Sequence, residues 1–153
     1  MGAEKIGSLH IYTDGGSRGN PGNAAVAFTI YDSKGKIVSE KSESIGIRTN
    51  NFAEYTALIL ALKEAVKYCH GKVFCFSDSE IMVRQLNGVY KVKVKHLKEL
   101  NKKVKELEKM FEQATYKHLP RTNPRISRVD KLLNKELDKL KITSKAGRAL
   151  YRK

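Results

Sequence analysis

The chain has 153 residues, of which 41% are hydrophobic and 30% charged, a composition typical of a soluble protein that folds as one domain. It contains no run of about 18 apolar residues, so no membrane span is expected. The N-terminus lacks the apolar core of a signal peptide, which predicts a cytoplasmic protein.

The positive charge is concentrated in the second part of the chain. Of the formal net charge of +14, residues 91–153 carry +13 (20 Lys and Arg, 7 Asp and Glu) and residues 1–90 carry +1 (10 and 9). This asymmetry indicates a polyanionic partner, usually a nucleic acid, although a solvated basic surface would have the same composition.

Three strand candidates open the chain, over residues 8–14, 24–32 and 36–45. The turn sequences GGSRGNPGN and SKG separate them, which predicts an antiparallel meander with Asp14 at the end of the first strand. A buried carboxylate is costly unless it is paired or binds a metal. Asp14 therefore either begins a turn or serves as a ligand.

Helical spacing begins near residue 49. TNNFAEYTALILALKEAVKYCHG predicts a helix with a cap at Thr49 or Asn50 and a stop at Gly71. KVFCFSD is typical of a central strand buried on both faces, and it ends on a second carboxylate, Asp78. SDSEIMVRQLNG predicts a short helix closed by Asn87-Gly88, and YKVKVK is either a strand or a basic loop.

Two helices and a strand complete the predicted order. HLKELNKKVKELEKMFEQA has one apolar stripe, ATYKHLP predicts a fifth strand, and RVDKLLNKELDKL predicts the last helix after the loop RTNPRIS. The order βββαβααβα describes an α/β domain with a mixed sheet over residues 1–141, followed by a basic tail over residues 142–153. Ligands of such sheets collect at the carboxyl ends of parallel strands, where Asp14 and Asp78 are expected.

The common phosphate, zinc and nucleophile motifs are missing from the sequence. GGSRGNPG is neither a P-loop nor a dinucleotide fingerprint, because no Lys-Ser or Lys-Thr follows it and the next element is a strand. HExxH and GxSxG do not occur, and the four histidines are scattered. What remains is a set of acids near strand ends and helix starts: Asp14, Glu54, Asp78 and Asp130.

In this order of elements, several motifs resemble the type 1 ribonuclease H family over roughly residues 8–140. They are YTDGGSRGNPG, TNNFAEYTAL, FSDSE with QLNGVYKVK, HLPR and VDKLLN. The resemblance implies a five-stranded mixed sheet whose first three strands are antiparallel. It also implies cleavage of the RNA strand of an RNA–DNA hybrid, with 5′-phosphate and 3′-hydroxyl ends.

The resemblance assigns the four acids a common role. Asp14, Glu54, Asp78 and Asp130 would bind two Mg²⁺ or Mn²⁺ ions when substrate is present, with Asp14 bridging them and Asp130 on the ion nearer the attacking water. Two ions can stabilise the attacking and leaving oxygens of an in-line displacement, and they relieve the repulsion among clustered carboxylates. Oxygen ligands suit both metals.

Substrate contacts are also implied by the resemblance. The family distinguishes RNA from DNA through the 2′-OH in the minor groove, and Thr49 would lie at a phosphate of the DNA strand. Thr49 or Asn50 could equally cap the helix. Lys91, Lys93 and Lys95 either add salt-sensitive phosphate contacts or are merely solvated. The residues expected to contact the hybrid are Gly15, Gly16, Ser17, Asn20, Thr49, Asn50 and Asn51.

Two departures from the family pattern stand out. Many members carry a histidine in the loop before the last acid, whereas this chain has none between Leu119 and Asp130; Arg121 or Asn123 would stand nearby. Glu80 takes a position where Gln is frequent. Two alternatives stay open, a nuclease of the same fold that also cuts double-stranded RNA and a non-catalytic hybrid-binding module. A monomer is expected.

Overall fold

The structure is a computed structural model that describes the backbone of residues 6–151 and the side chains of residues 6–140. Its sheet has five strands: β1 (Ile6–Gly19), β2 (Gly22–Asp32), β3 (Ile37–Arg48), β4 (Cys69–Ser77) and β5 (Gln113–His118). They lie in the order β3-β2-β1-β4-β5. β1, β2 and β3 pair antiparallel, whereas β4 pairs parallel with both β1 and β5. The predicted mixed sheet is confirmed.

Helices cover both faces of this sheet. They are α1 (Asn50–Ala65), α2 (Glu80–Leu86), α3 (Lys95–Glu108) and α4 (Pro124–Tyr151), so the order βββαβααβα is confirmed. Leu9 and Ile11 of β1 pack in a core with α1, α2 and α3, whereas Tyr12 packs with α4 in a second core. Because side chains alternate along a strand, Asp14 lies on the same face of β1 as Tyr12, the face that α4 covers. None of the helices in the described range is long and apolar enough to span a membrane.

The glycine-rich segment after Asp14 belongs to β1 and is not the loop predicted from its composition. Residues 14–19 pair with residues 22–27 of β2, which reduces the connection to Asn20 and Pro21. The parallel pairing of β1 with β4, in contrast, stops at Tyr12 and Phe76. Asp14 therefore lies inside β1, but two residues past the last residue of β1 that pairs with β4. Its side chain still faces the carboxyl edge of the parallel strands.

The end of α1 also differs from the prediction. The helix ends at Ala65, and Gly71 lies within β4 instead of terminating the helix. The apolar spacing of the helix included Cys69 because Cys69 is buried in the same core as α1. Cys69 reaches that core from β4, not from the helix. Gly71 is required by close strand packing, since a Cβ there would overlap the backbone oxygen of Gly7.

The remaining connections agree with the sequence or resolve what it left open. Asn87 follows the last residue of α2, and Gly88 has a φ of 77°, as expected for the predicted stop. Residues 91–93 have no regular structure, so most of the YKVKVK segment is a loop, and its last residue, Lys95, begins α3.

α4 begins at Pro124, earlier than the sequence predicted. The side-chain oxygen of Asn123 accepts hydrogen bonds from the backbone N–H groups of Arg125 (3.0 Å) and Ile126 (3.2 Å), which makes Asn123 the N-cap and Pro124 the first helical residue. Asp130 consequently lies in the second turn, not at the start of the helix. α4 continues through Tyr151, so the predicted boundary at residue 141 falls within a continuous helix. A separate role for residues 142–153 stays a prediction, because their side chains lie outside the described residues.

Candidate active site

Three carboxylates from distant parts of the sequence meet at the carboxyl edge of the parallel strands. Asp14 comes from β1, Glu54 from the second turn of α1, and Asp78 directly follows β4. One carboxylate oxygen from each lies within 4.8 Å of the others. The structure thus brings three of the four predicted acids together.

Glu54 is held in place by an unusually close approach of α1 to β1. The backbone N–H of Gly15 donates a hydrogen bond to Oε1 of Glu54 over 2.8 Å. A Cβ on Gly15 would overlap the backbone carbonyl of Ala53 and would lie only 2.6 Å from the backbone nitrogen of Glu54. The glycine is therefore required for space, and the close approach fixes one oxygen of the Glu54 carboxylate.

Asp14 is buried and has one carboxylate oxygen without a hydrogen-bond partner in the part of the chain that the structure describes. It is 5% exposed. Within the described residues, two buried side-chain oxygens lack a hydrogen-bond partner, and they are Oδ2 of Asp14 and Oγ of Ser17. Burial, followed by the negative charges of Glu54 and Asp78, raises the pKa of Asp14 far above the usual range of a carboxyl group. Burial and the charge of Asp78 likewise raise the pKa of Glu54. Burial and mutual repulsion both disfavour the ionised forms of these groups, and a cation beside them would favour ionisation.

Asp130 reaches the same cavity from α4. It is not among the three acids whose oxygens lie within 4.8 Å of one another, but it lines the cavity with them. A cavity of about 230 Å³ opens between the β1–β2 hairpin and α4, and all four acids line it. Two buried oxygens without partners, one of them a carboxylate, and an all-oxygen set of donors fit a divalent cation.

The loop before α4 contains Arg121 and Asn123, the two residues expected near the last acid. Only residues 119–123 separate β5 from α4, because residues 124–130 belong to the helix. Nε of Arg121 lies 3.3 Å from Oδ2 of Asp78, and Arg121 lines the cavity. Asn123 is occupied as the cap of α4. Glu80, the other departure, forms an ion pair with Arg84 over 2.8 Å.

The polar residues predicted to contact substrate form a hydrogen-bonded link between the hairpin and α1. Oδ1 of Asn50 accepts from the backbone N–H of Ser17 (3.1 Å), and Oδ1 of Asn20 accepts from that of Asn50 (3.0 Å). Oγ1 of Thr49 accepts from the N–H of Phe52 (3.2 Å), so Thr49 caps α1. Asn51 is exposed. The cavity lining includes Gly15, Gly16, Ser17 and Asn50.

Sequence reasoning missed several lining residues. Arg18 lines the cavity while its NH2 group lies 2.7 Å from Oδ1 of Asp138 on α4. Leu133, Asn134 and Leu137 lie three, four and seven residues after Asp130, which is the spacing of one helical face. That spacing could have identified them once Asp130 was placed in a helix. Lys91, Lys93 and Lys95 are exposed, which leaves both interpretations of these lysines open.

Comparisons with known proteins agree with this geometry. A family profile described as reverse transcriptase-like matches residues 12–130. Ribonuclease HI of Halobacterium salinarum is 38% identical over 135 residues, which cover 88% of this chain and 67% of that protein. The bifunctional protein Rv2228c of Mycobacterium tuberculosis is 36% identical, and the match covers 84% of this chain but only 35% of that protein.

Solved structures show the same likeness in three dimensions. RNase H1 from Halobacterium salinarum superposes with a TM-score of 0.82 at 38% identity, covering 87% of this chain and 99% of the other. LC11-RNase H1, solved in complex with an RNA/DNA hybrid, has a TM-score of 0.80 at 40% identity, with coverage of 86% and 98%. The acid cluster, the sheet order and these similarities lead to one conclusion: the chain belongs to the ribonuclease H family of enzymes.

Proposed function

We propose that this chain is an endoribonuclease that hydrolyses the RNA strand of RNA–DNA hybrids and leaves 5′-phosphate and 3′-hydroxyl ends. The observation that carries the proposal is the buried carboxylate cluster, in which Oδ2 of Asp14 has no hydrogen-bond partner among the described residues. A buried acid of this kind is strongly unfavourable unless it serves a ligand. The similarity to LC11-RNase H1, solved with a hybrid, supports the choice of substrate.

Two Mg²⁺ or Mn²⁺ ions would be held by Asp14, Glu54, Asp78 and Asp130. When bound, such ions supply activation of the attacking water and neutralisation of the charge on the leaving oxygen. The protein contributes the positions of the four acids. The Gly15 N–H orients Glu54, Asn123 begins the helix that presents Asp130, and the end of β4 presents Asp78.

The residues around the cluster are suited to bind a nucleic acid backbone. The substrate contacts proposed for Gly15, Gly16, Ser17, Asn20, Thr49, Asn50 and Asn51 rest on the hairpin and the start of α1, which border the cavity. Gly16 and Ser17 both line the cavity, and the buried Ser17 hydroxyl has no hydrogen-bond partner among the described residues. The +13 charge of residues 91–153 would attract the phosphates without sequence preference. We take the active unit to be a monomer, because one chain supplies all four acids.

Substitution of the acids tests the proposal. Asp14→Asn and Asp78→Asn should each lower cleavage of a hybrid by at least about 100-fold, because each removes a charge required at the reacting phosphate. Hybrid binding, measured by filter retention, should stay within a few-fold of the parent. Asp138→Asn is the matched control, since it removes an exposed acid from α4 outside the cluster and should cleave at nearly the parent rate. Cleavage at the parent rate by Asp14→Asn would refute the assignment.

A further inference from the structure

The loop between β5 and α4 fixes the backbone of one arginine beside the acid cluster. The N–H of Leu119 donates to the backbone oxygen of Ser77 (3.0 Å), directly before Asp78 in the chain. At the other end of the loop, the N–H of Asn123 donates to the backbone oxygen of Pro120 (3.0 Å) and closes a turn. Arg121 occupies the second position of this turn.

Arg121 contacts a proposed metal ligand directly. Its Nε lies 3.3 Å from Oδ2 of Asp78. Asp78 is 11% exposed, whereas the Arg121 side chain is 75% exposed and is therefore free to leave without disturbing the core. The guanidinium also lies in the field of Asp130 and Asp14, which act on it more weakly than Asp78. A cation that approaches Asp78 must either displace this guanidinium or share the carboxylate with it.

We propose that Arg121 is an internal counter-ion of the acid cluster, which competes with divalent cations for Asp78 and so weakens their binding. The inference rests on the metal site proposed above and adds a residue that sets its affinity. Because the guanidinium is largely in water, its effect is screened. Removing its charge should tighten cation binding by roughly threefold to tenfold.

Mn²⁺ binding to the full chain tests the proposal without any cleavage assay. Calorimetry and the electron paramagnetic resonance signal of free Mn²⁺ would give the Kd of the parent, Arg121→Gln, Arg121→Lys and Arg18→Gln. Arg18 is the matched control, because it lines the same cavity but pairs with Asp138 and not with one of the four acids. We expect tighter binding in Arg121→Gln. The Kd of Arg121→Lys should stay within about twofold of the parent because the lysine keeps the positive charge. The Kd of Arg18→Gln should also stay within about twofold because Asp78 keeps its partner Arg121.

Thermal unfolding supplies a second readout. Arg121→Gln should lower the melting temperature in chelator, where Asp78 loses its partner, and should show a larger increase on adding Mn²⁺ than the parent. Equal or weaker Mn²⁺ binding in Arg121→Gln would overturn the proposal, and so would equal tightening in Arg18→Gln, which would indicate a general field effect. If neither the parent nor Arg121→Gln binds Mn²⁺ more tightly than Asp14→Asn does, the metal site itself is wrong and the inference fails with it.

Discussion

Replacing Gly15 with alanine should separate the two elements on which the site depends. The added Cβ would overlap the backbone carbonyl of Ala53, which cannot rotate away as a side chain could. β1 and α1 must therefore move apart. That movement stretches the 2.8 Å hydrogen bond from the Gly15 N–H to Glu54, so the substitution should affect stability and cation binding together.

The expected cost follows from these two contacts. Overpacking in a well-packed interior costs about 1–3 kcal/mol, and leaving the buried N–H of Gly15 without its partner costs about 1–3 kcal/mol. Partial relaxation reduces the sum, so we expect Gly15→Ala to lose about 2–4 kcal/mol of unfolding free energy. In a domain of this size the loss corresponds to a decrease in melting temperature of roughly 5–15 °C.

Gly16→Ala provides the matched control. Its Cβ would lie 3.3 Å from Oδ1 of Asn50 and 3.4 Å from a methyl group of Leu133, and both atoms belong to side chains that can adjust. Urea unfolding of the two variants, with Mn²⁺ binding measured in parallel, compares one methyl group at adjacent positions. A Gly15→Ala variant within about 0.5 kcal/mol of the parent, or no less stable than Gly16→Ala, would refute the close-approach argument.

Three further predictions concern stability and binding. Burial of Glu64 is outweighed by its hydrogen bonds with Lys41, Lys67 and Ser39, which lower its pKa to about 2, so Glu64→Gln should cost about 1–2 kcal/mol near pH 7. This stabilisation is complete above the unfolded-state pKa near 4.5 and is lost as the pH falls through about 2. Urea unfolding from pH 7 to 2 should therefore show that the difference in unfolding free energy between the parent and Glu64→Gln decreases, and a difference that does not change with pH would contradict this prediction. Asn123→Ala removes the cap of α4 and should lower the unfolding free energy by about 1 kcal/mol, whereas a change no larger than that of the exposed neighbour Thr122→Ala would argue against the cap. Hybrid binding should weaken roughly tenfold or more between about 50 and 200 mM salt, and salt-independent binding would exclude the proposed phosphate contacts.

The sequence was sufficient to predict the order of elements and to single out the four acids that line the cavity. Asp14 and Asp78 stand out because each ends an apolar run, where a carboxylate needs a reason to be buried, whereas Glu54 and Asp130 were singled out through their combination with these two and through the family resemblance. Turn chemistry and the change from alternating to helical spacing separate the elements. These patterns are local, so they can be recognised in the sequence without knowledge of the tertiary structure.

The errors arise where tertiary contacts override local patterns. The glycines after Asp14 are typical of a loop, but continued pairing with β2 keeps them in β1. Cys69 extends a helical pattern although it belongs to β4, because strand and helix share one core. The start of α4 could have been predicted, since Asn123 followed by Pro124 is a cap and first-turn pair. The contacts of Gly15 with Glu54 and of Arg121 with Asp78 join residues about 40 positions apart, and no local pattern encodes them.

The proposed function requires that the acid cluster, when it holds metal ions, cuts the RNA strand of a hybrid. End-labelled RNA–DNA, RNA–RNA and DNA–DNA duplexes of one sequence, incubated with Mg²⁺, Mn²⁺ or chelator and resolved by length, test it directly. We predict internal cuts confined to the RNA strand of the hybrid and dependent on added metal. Equal cutting of RNA–RNA would favour the broader nuclease, and hybrid binding without any cutting would indicate a binding module. Full cleavage of the hybrid in excess chelator would contradict the proposed metal dependence.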